Sequence, residues 1–168
     1  MNELKFIYGV PGSGKTFISK EMQTKLGWSL FEADSLRKIA QENATKEDEP
    51  FTFLGTCQAY RKFGELNDGN AIKGLIAVRK KLAPFVLKKV NQIDKTIIEA
   101  AFLDPSQLSG LGECLLVVTA NEKRHQQHFF EHRVNNQETQ EEFRTARIIQ
   151  DFLIKEAKNK FIKILENN

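Results

Sequence analysis

Cysteine, tryptophan and proline are scarce in this chain of 168 residues, which holds two Cys, one Trp and four Pro. Cys57 and Cys114 lie far apart, without the paired spacing of a zinc site or a disulfide framework, so reduced thiols in a cytoplasmic protein are the expectation. No apolar run reaches membrane-spanning length, and the first residues read as a strand rather than a signal peptide. Charge of one sign is also missing. A net charge of +3 with 28% charged residues of mixed sign describes an ordinary surface and argues against a nucleic-acid partner. Internal repeats and low-complexity segments are absent too. The remaining composition, 40% hydrophobic residues, suits one compact domain over 1–168 with a sizeable core.

Glycine, by contrast, is concentrated where it matters. "GVPGSGKT", residues 9 to 16, has the Walker A spacing Gly9, four residues, Gly14, Lys15, Thr16. Such a loop, here Gly9, Pro11, Gly12, Ser13 and Gly14, wraps the backbone N–H groups of its non-proline residues around phosphates, with a point charge from the lysine and a Mg²⁺-ligating hydroxyl from the threonine. The flanks agree with a strand–loop–helix unit: Leu4–Tyr8 reads as a buried strand, and Phe17, Ile18, Met22 and Leu26 recur at helical spacing before Gly27. ATP with Mg²⁺ is the expected ligand.

Further along, residues 28–33 read as a second strand and 35–44 as a helix, with the charged "TKEDEP" a solvated loop. Residues 53–63 and 71–90 show helical spacing, with Pro84 expected to bend or split the second piece. Residues 96–101 and 113–120 read as the third and fourth strands, 121–134 as a polar helix, 138–160 as an amphipathic one, and "FIKIL" as a fifth strand. Alternating strands and helices imply an α/β three-layer sandwich: a five-stranded, mainly parallel sheet between helices, with ligands at the strands' carboxyl ends. The helical insert, about 53–90, is expected to cap that end.

A phosphoryl-transfer site needs an acceptor subsite and a cationic lid. Asp34 and Arg37 in "DSLR" lie one turn apart after the second strand, where the carboxylate can orient or deprotonate a hydroxyl and the arginine can grip an anionic acceptor. Glu99, in an otherwise apolar strand, takes the place of an acid that orients Mg²⁺ through water or activates the nucleophile. Lys123, Arg124 and Arg133 in "NEKRHQQHFFEHR", followed by Arg144 and Arg147, suit a lid over about 121–135, Arg124 and Arg133 being the catalytic candidates; a solvated helix face is the plain alternative. His125, His128 and His132 share one face of that helix, in polar or substrate-facing roles rather than as a zinc site.

The whole chain resembles the archaeal 2-phosphoglycerate kinases within the P-loop small-molecule kinases. The resemblance runs through "ADSLRKIA", "AYRKFGE", "AIKGLIAVRKKLAPFV", "TIIEAAFLDP", "NEKRHQQHFFEHR" and "FRTARIIQDFLIKEAK" in matching order. It departs after the strand glutamate, where Ala100, Ala101 and Phe102 stand in place of Gly-Val-His. What the resemblance implies is Mg²⁺- and ATP-dependent phosphorylation of 2-phosphoglycerate to 2,3-bisphosphoglycerate. A nucleoside, nucleotide or sugar-phosphate acceptor is the alternative, and a nucleotide-dependent regulatory or RNA-acting protein a more distant one.

Overall fold

The computed structural model describes residues 2–167. Strand β1 (Leu4–Tyr8) leads through the glycine-rich turn into α1 (Lys15–Leu26), and β2 (Ser29–Glu32) leads through a 3₁₀ turn (Ala33–Ser35) into α2 (Leu36–Gln41). Between β2 and β3 (Thr96–Glu99) the chain also forms α3 (Pro50–Phe53), a second 3₁₀ turn (Ala59–Lys62) and the long α4 (Asp68–Val90). After β3 come α5 (Pro105–Leu108), β4 (Glu113–Val118), α6 (Glu122–Phe130), α7 (Gln137–Asn159) and β5 (Lys163–Glu166).

The five strands lie in the order β2-β3-β1-β4-β5, and every pairing is parallel. Side chains alternate along a strand, so each strand serves both layers. Ile7, Ile97, Leu115 and Val117 face one side and pack with Ile18 and Met22 of α1. Phe6, Tyr8, Ile98, Leu116 and Val118 face the other and join the larger core with Leu75, Val78 and Leu82 of α4 and Ala146, Ile149 and Leu153 of α7. The near-continuous apolar strands are those of a sheet covered on both faces.

Several local expectations change. Residues 53–63 are not one helix: Pro50 starts α3, Leu54 turns extended (φ −86°, ψ 134°), and Gln58 Oε1 accepts from the Gly55 N–H at 3.0 Å, so the chain turns before its 3₁₀ segment. Pro84 does not split α4, which runs unbroken from Asp68 to Val90. It sits on the exposed side, where the Lys80 carbonyl it leaves unpaired can meet water, while Leu75, Val78, Leu82, Val86 and Val90 hold the helix to the core. In α1 only Ile18 and Met22 of the expected stripe reach the sheet; Phe17 is 60% and Leu26 41% exposed. The last strand begins at Lys163 because Phe161 adopts a left-handed φ of 55° as α7 ends.

Candidate active site

The glycine-rich turn between β1 and α1 has left-handed backbone at Gly12 (φ 78°) and Gly14 (φ 93°), which L side chains adopt at a cost. At Gly12 a Cβ would also lie 3.0 Å from the Cα and N of Phe129, so the missing side chain lets α6 rest on the loop. Helix α1 begins at Lys15, aiming its unpaired N–H groups into the turn. The Lys15 ammonium folds back to donate to the Val10 carbonyl at 2.9 Å. Burial pushes its pKa down, opposed by the carboxylates of Glu99 and Asp34.

A set of buried hydrogen bonds braces this loop from behind. His125 Nε2 meets the Pro11 carbonyl at 2.9 Å, and Arg147 Nη1 lies 3.3 Å from His125 Nδ1. A guanidinium can only donate, so Nδ1 accepts and Nε2 carries the proton to Pro11. Burial, then the charges of Arg147 and Lys15, hold the imidazole below its usual range, partly offset by the Pro11 bond. Arg147 also donates to the Thr119 carbonyl at 2.9 Å, and Gln150 exchanges two bonds with the Thr119 backbone at 3.0 and 3.1 Å. The Thr119 hydroxyl donates to the Ser13 carbonyl at 3.1 Å, which Asn167 Nδ2 also approaches at 3.4 Å. Helix α7 thus holds the end of β4, and the end of β4 holds the loop.

Glu99 closes β3 beside Ile7 of β1 and Glu32 of β2. Its Oε1 accepts from Thr16 Oγ1 at 3.0 Å, while Oε2 is buried with no partner among the described residues. Burial raises its pKa, and the Lys15 ammonium acts against that shift. A hydroxyl and a carboxylate with a free, buried oxygen are the hard oxygen donors Mg²⁺ takes, directly or through water, alongside a nucleotide's phosphates. Among the described residues no group of three or more His, Cys, Asp or Glu could hold a metal ion.

Asp34 stands in the turn after β2 with its side chain 72% exposed, 3.9 Å from Arg37 Nε. Arg37 is half-buried and otherwise engaged: its Nη1 donates to the Leu54 carbonyl at 3.0 Å and the Thr52 carbonyl at 3.4 Å, and its guanidinium lies 5.2 Å over the Phe102 ring. Burial lowers its pKa, and Asp34 opposes the shift. Arg37 therefore ties α2 to the chain leaving α3.

Helix α6 separates its basic and histidine residues. His125 and Phe129 turn inward against Phe143, with ring centroids 5.1 and 5.4 Å from it. Arg124, His128, His132 and Arg133 face the loop across a cleft of about 680 Å³ that Gly12, Gly14, Lys15, Thr16, Phe17 and Asn167 also line. Arg133 donates to the Phe129 carbonyl at 2.7 Å and lies 4.2 Å over that residue's ring. Lys123 is exposed, and Arg144 stands beside Glu141 at 4.0 Å. Thr119, Gln150 and Asn167 carried no signal in the sequence: Thr119 and Asn167 each reach the Ser13 carbonyl of a loop more than a hundred positions away, and Gln150 holds the Thr119 backbone from α7.

No protein-family model matches the chain, and no curated protein matches it in sequence. Solved structures do match. A shikimate kinase from Acinetobacter baumannii in complex with shikimate superposes with a TM-score of 0.58 at 15% identity, over 100% of this chain and 85% of that one. A deoxyadenosine kinase from M. mycoides with bound dATP gives 0.51 at 16% identity, over 98% and 90%. The fold is that of the P-loop kinases. TT1252 from Thermus thermophilus shares it, with a TM-score of 0.56 at 17% identity over 99% and 89%. Within the P-loop kinase fold the loop, α1 and the end of β3 meet at the carboxyl end of the sheet, where Lys15, Thr16 and Glu99 converge. No helix among the described residues is long and apolar enough to cross a membrane.

Proposed function

We propose that this chain is a small-molecule kinase that moves the γ-phosphoryl group of ATP to a hydroxyl of an anionic acceptor, with 2-phosphoglycerate the leading candidate. The observation that carries the proposal is the convergence of the Lys15 ammonium, the Thr16 hydroxyl and a Glu99 carboxylate whose second oxygen is buried and unpaired. A buried carboxylate oxygen with no hydrogen-bond partner is expensive to keep, and a phosphate-bound cation would supply what it lacks.

In this reading the backbone of Gly9, Pro11, Gly12, Ser13 and Gly14 cradles the β- and γ-phosphates, and Lys15 leaves the Val10 carbonyl to pair with them. Thr16 and Glu99 would hold Mg²⁺, which when bound offsets phosphate charge. Asp34 orients the acceptor hydroxyl and takes its proton as the new O–P bond forms. The bond from the γ-phosphorus to the β,γ-bridging oxygen breaks, and ADP leaves with that electron pair. Arg37 leaves the Thr52 and Leu54 carbonyls to hold the acceptor's anionic group, while Arg124 on α6 and Arg133 just after it face the transferring phosphoryl group.

Because α4 is fixed in the core by Leu75, Val78 and Leu82, the part of the expected cap over 53–90 that would exclude water in this reading is the segment from 53 to 67. Gln58, Tyr60 and Arg61 already link it to the start of α7: Gln58 and Arg61 reach Glu142 at 3.3 and 3.2 Å, Tyr60 reaches Glu141 at 3.0 Å, and Arg61 reaches Glu138 at 3.2 Å. The test is a panel of acceptors, including 2-phosphoglycerate, shikimate, gluconate and deoxyadenosine, incubated with Mg²⁺ and ATP and read by mass spectrometry. A product 80 mass units heavier than an anionic acceptor, as expected for one added phosphoryl group (about 80 Da), supports the reading. Phosphorylation of neutral nucleosides alone overturns the acceptor assignment.

A further inference from the structure

Phe17 is the residue after the loop's threonine, and it is 60% exposed on a helix whose inward apolar side chains, Ile18 and Met22, are packed on the sheet. It therefore does nothing for the core. It lines the same cleft as Gly12, Gly14, Lys15 and Thr16 on one side and Arg124, His128 and His132 on the other. At about 680 Å³ that cleft is far larger than a phosphate chain needs and falls within the range of small-ligand sites.

We propose that Phe17 is the base-stacking residue of the donor site and selects a purine base over a pyrimidine. This deepens the kinase reading and rests on it: phosphates cradled by the loop leave the nucleoside half in this cleft. An exposed phenyl ring offers a flat apolar face to a base, and stacking contributes through area and π-contact rather than through hydrogen bonds. A two-ring purine covers more of that face than a pyrimidine. Arg124 supplies a cation on the facing helix, and Asn167, anchored by its backbone N–H to the Val118 carbonyl at 2.8 Å, closes the cleft beside Gly14.

The experiment is calorimetric titration of the wild type, Phe17→Ala and Phe17→Trp with ATP, CTP and inorganic tripolyphosphate, each with Mg²⁺. Because Phe17 is exposed, truncation leaves the core intact. The expected result is a loss of about five- to a hundredfold in ATP affinity for Phe17→Ala, with tripolyphosphate changed by less than about twofold. The ATP-over-CTP preference shrinks in the same variant, and Phe17→Trp keeps the ATP affinity. Unchanged ATP binding by Phe17→Ala, or an equal loss for ATP and tripolyphosphate, overturns the inference while leaving the kinase reading in place. A wild type that binds neither ATP nor tripolyphosphate overturns both.

Discussion

Thr16 Oγ1 donates to Glu99 Oε1 across 3.0 Å, joining the last residue of the phosphate loop to the end of the neighbouring strand and leaving Glu99 Oε2 buried without a partner among the described residues. Burial holds the carboxylate where its charge is disfavoured, a strain that a bound cation would relieve.

The first expectation follows from that strain. Burial raises the Glu99 pKa in the folded chain. Between the unfolded and folded values the folded state keeps a proton that the unfolded state has lost, so ionisation of Glu99 lowers stability as pH rises through that window. Glu99→Gln removes this loss. At neutral pH its thermal midpoint should rise, on the order of 2–4 °C for a chain of this size, while Mg²⁺-dependent transfer falls. Thermal melts at pH 5 and pH 7.5 check it: the gain should be larger at the higher pH, and equal or reversed gains contradict it.

His125 should act through Pro11. His125→Ala removes the bond to the loop and leaves Arg147 with one acceptor fewer, so ATP affinity should drop roughly tenfold, an amount typical of one lost buried hydrogen bond. His125→Asn should recover part of it. The imidazole faces Pro11, Arg147, Lys15 and His128, and its folded pKa is depressed. Stability from the neutral ring is therefore present above the unfolded value, about 6.5, and is lost as pH falls toward the folded one. Melts of wild type and His125→Asn from pH 7.5 to 5 should diverge, the wild type falling more steeply.

The buried pair of Arg79 and Glu156 ties α4 to α7 through two bonds of 3.0 Å, with Asp104 4.0 Å away. Arg79→Ala leaves Glu156 uncompensated and should destabilise the chain by about 3–5 kcal/mol in urea unfolding. Arg79→Met combined with Glu156→Leu should recover most of that loss. A double variant no more stable than Arg79→Ala would mean that the pair itself, rather than the orphaned charge, is what matters.

Arg37 and Asp34 should separate holding from chemistry. Arg37→Ala should cost roughly ten- to hundredfold in acceptor kcat/KM, mostly in KM, as loss of a charge-assisted contact does. Asp34→Asn should depress kcat instead. An equal rise in the KM for ATP would show that Arg37, through its bonds to the Thr52 and Leu54 carbonyls, shapes the whole site rather than the acceptor subsite.

What could be read along the chain was what is local in sequence. Leu4–Tyr8, Thr96–Glu99 and Glu113–Val118 are apolar runs with clear ends, so the sheet was legible, and an acid inside one of them marked Glu99. Arg79 was not legible, because an arginine beside a buried helical stripe reads as solvated until its partner, 77 positions later, is brought against it. Phe17 misled for the opposite reason: it has the spacing of the inner stripe, yet it points into the cleft. The histidines shared a face by period, but the close packing of α6 on Gly12 and Phe143 divides them, burying His125 and leaving His128 and His132 at the cleft. Residues 53–63 read as a helix because their apolar spacing carries no mark of the extended turn at Leu54 and Gly55.

Following the terminal phosphate of labelled ATP tests the central claim most directly, in wild type and in Lys15→Ala, with melts confirming that both are folded. The label should move into an acceptor in the wild type, and its transfer should fall at least about a hundredfold in Lys15→Ala, since that ammonium serves the β- and γ-phosphates. Transfer at a near-normal rate by a folded Lys15→Ala protein, or release of the label only as inorganic phosphate across every acceptor, would contradict a P-loop kinase.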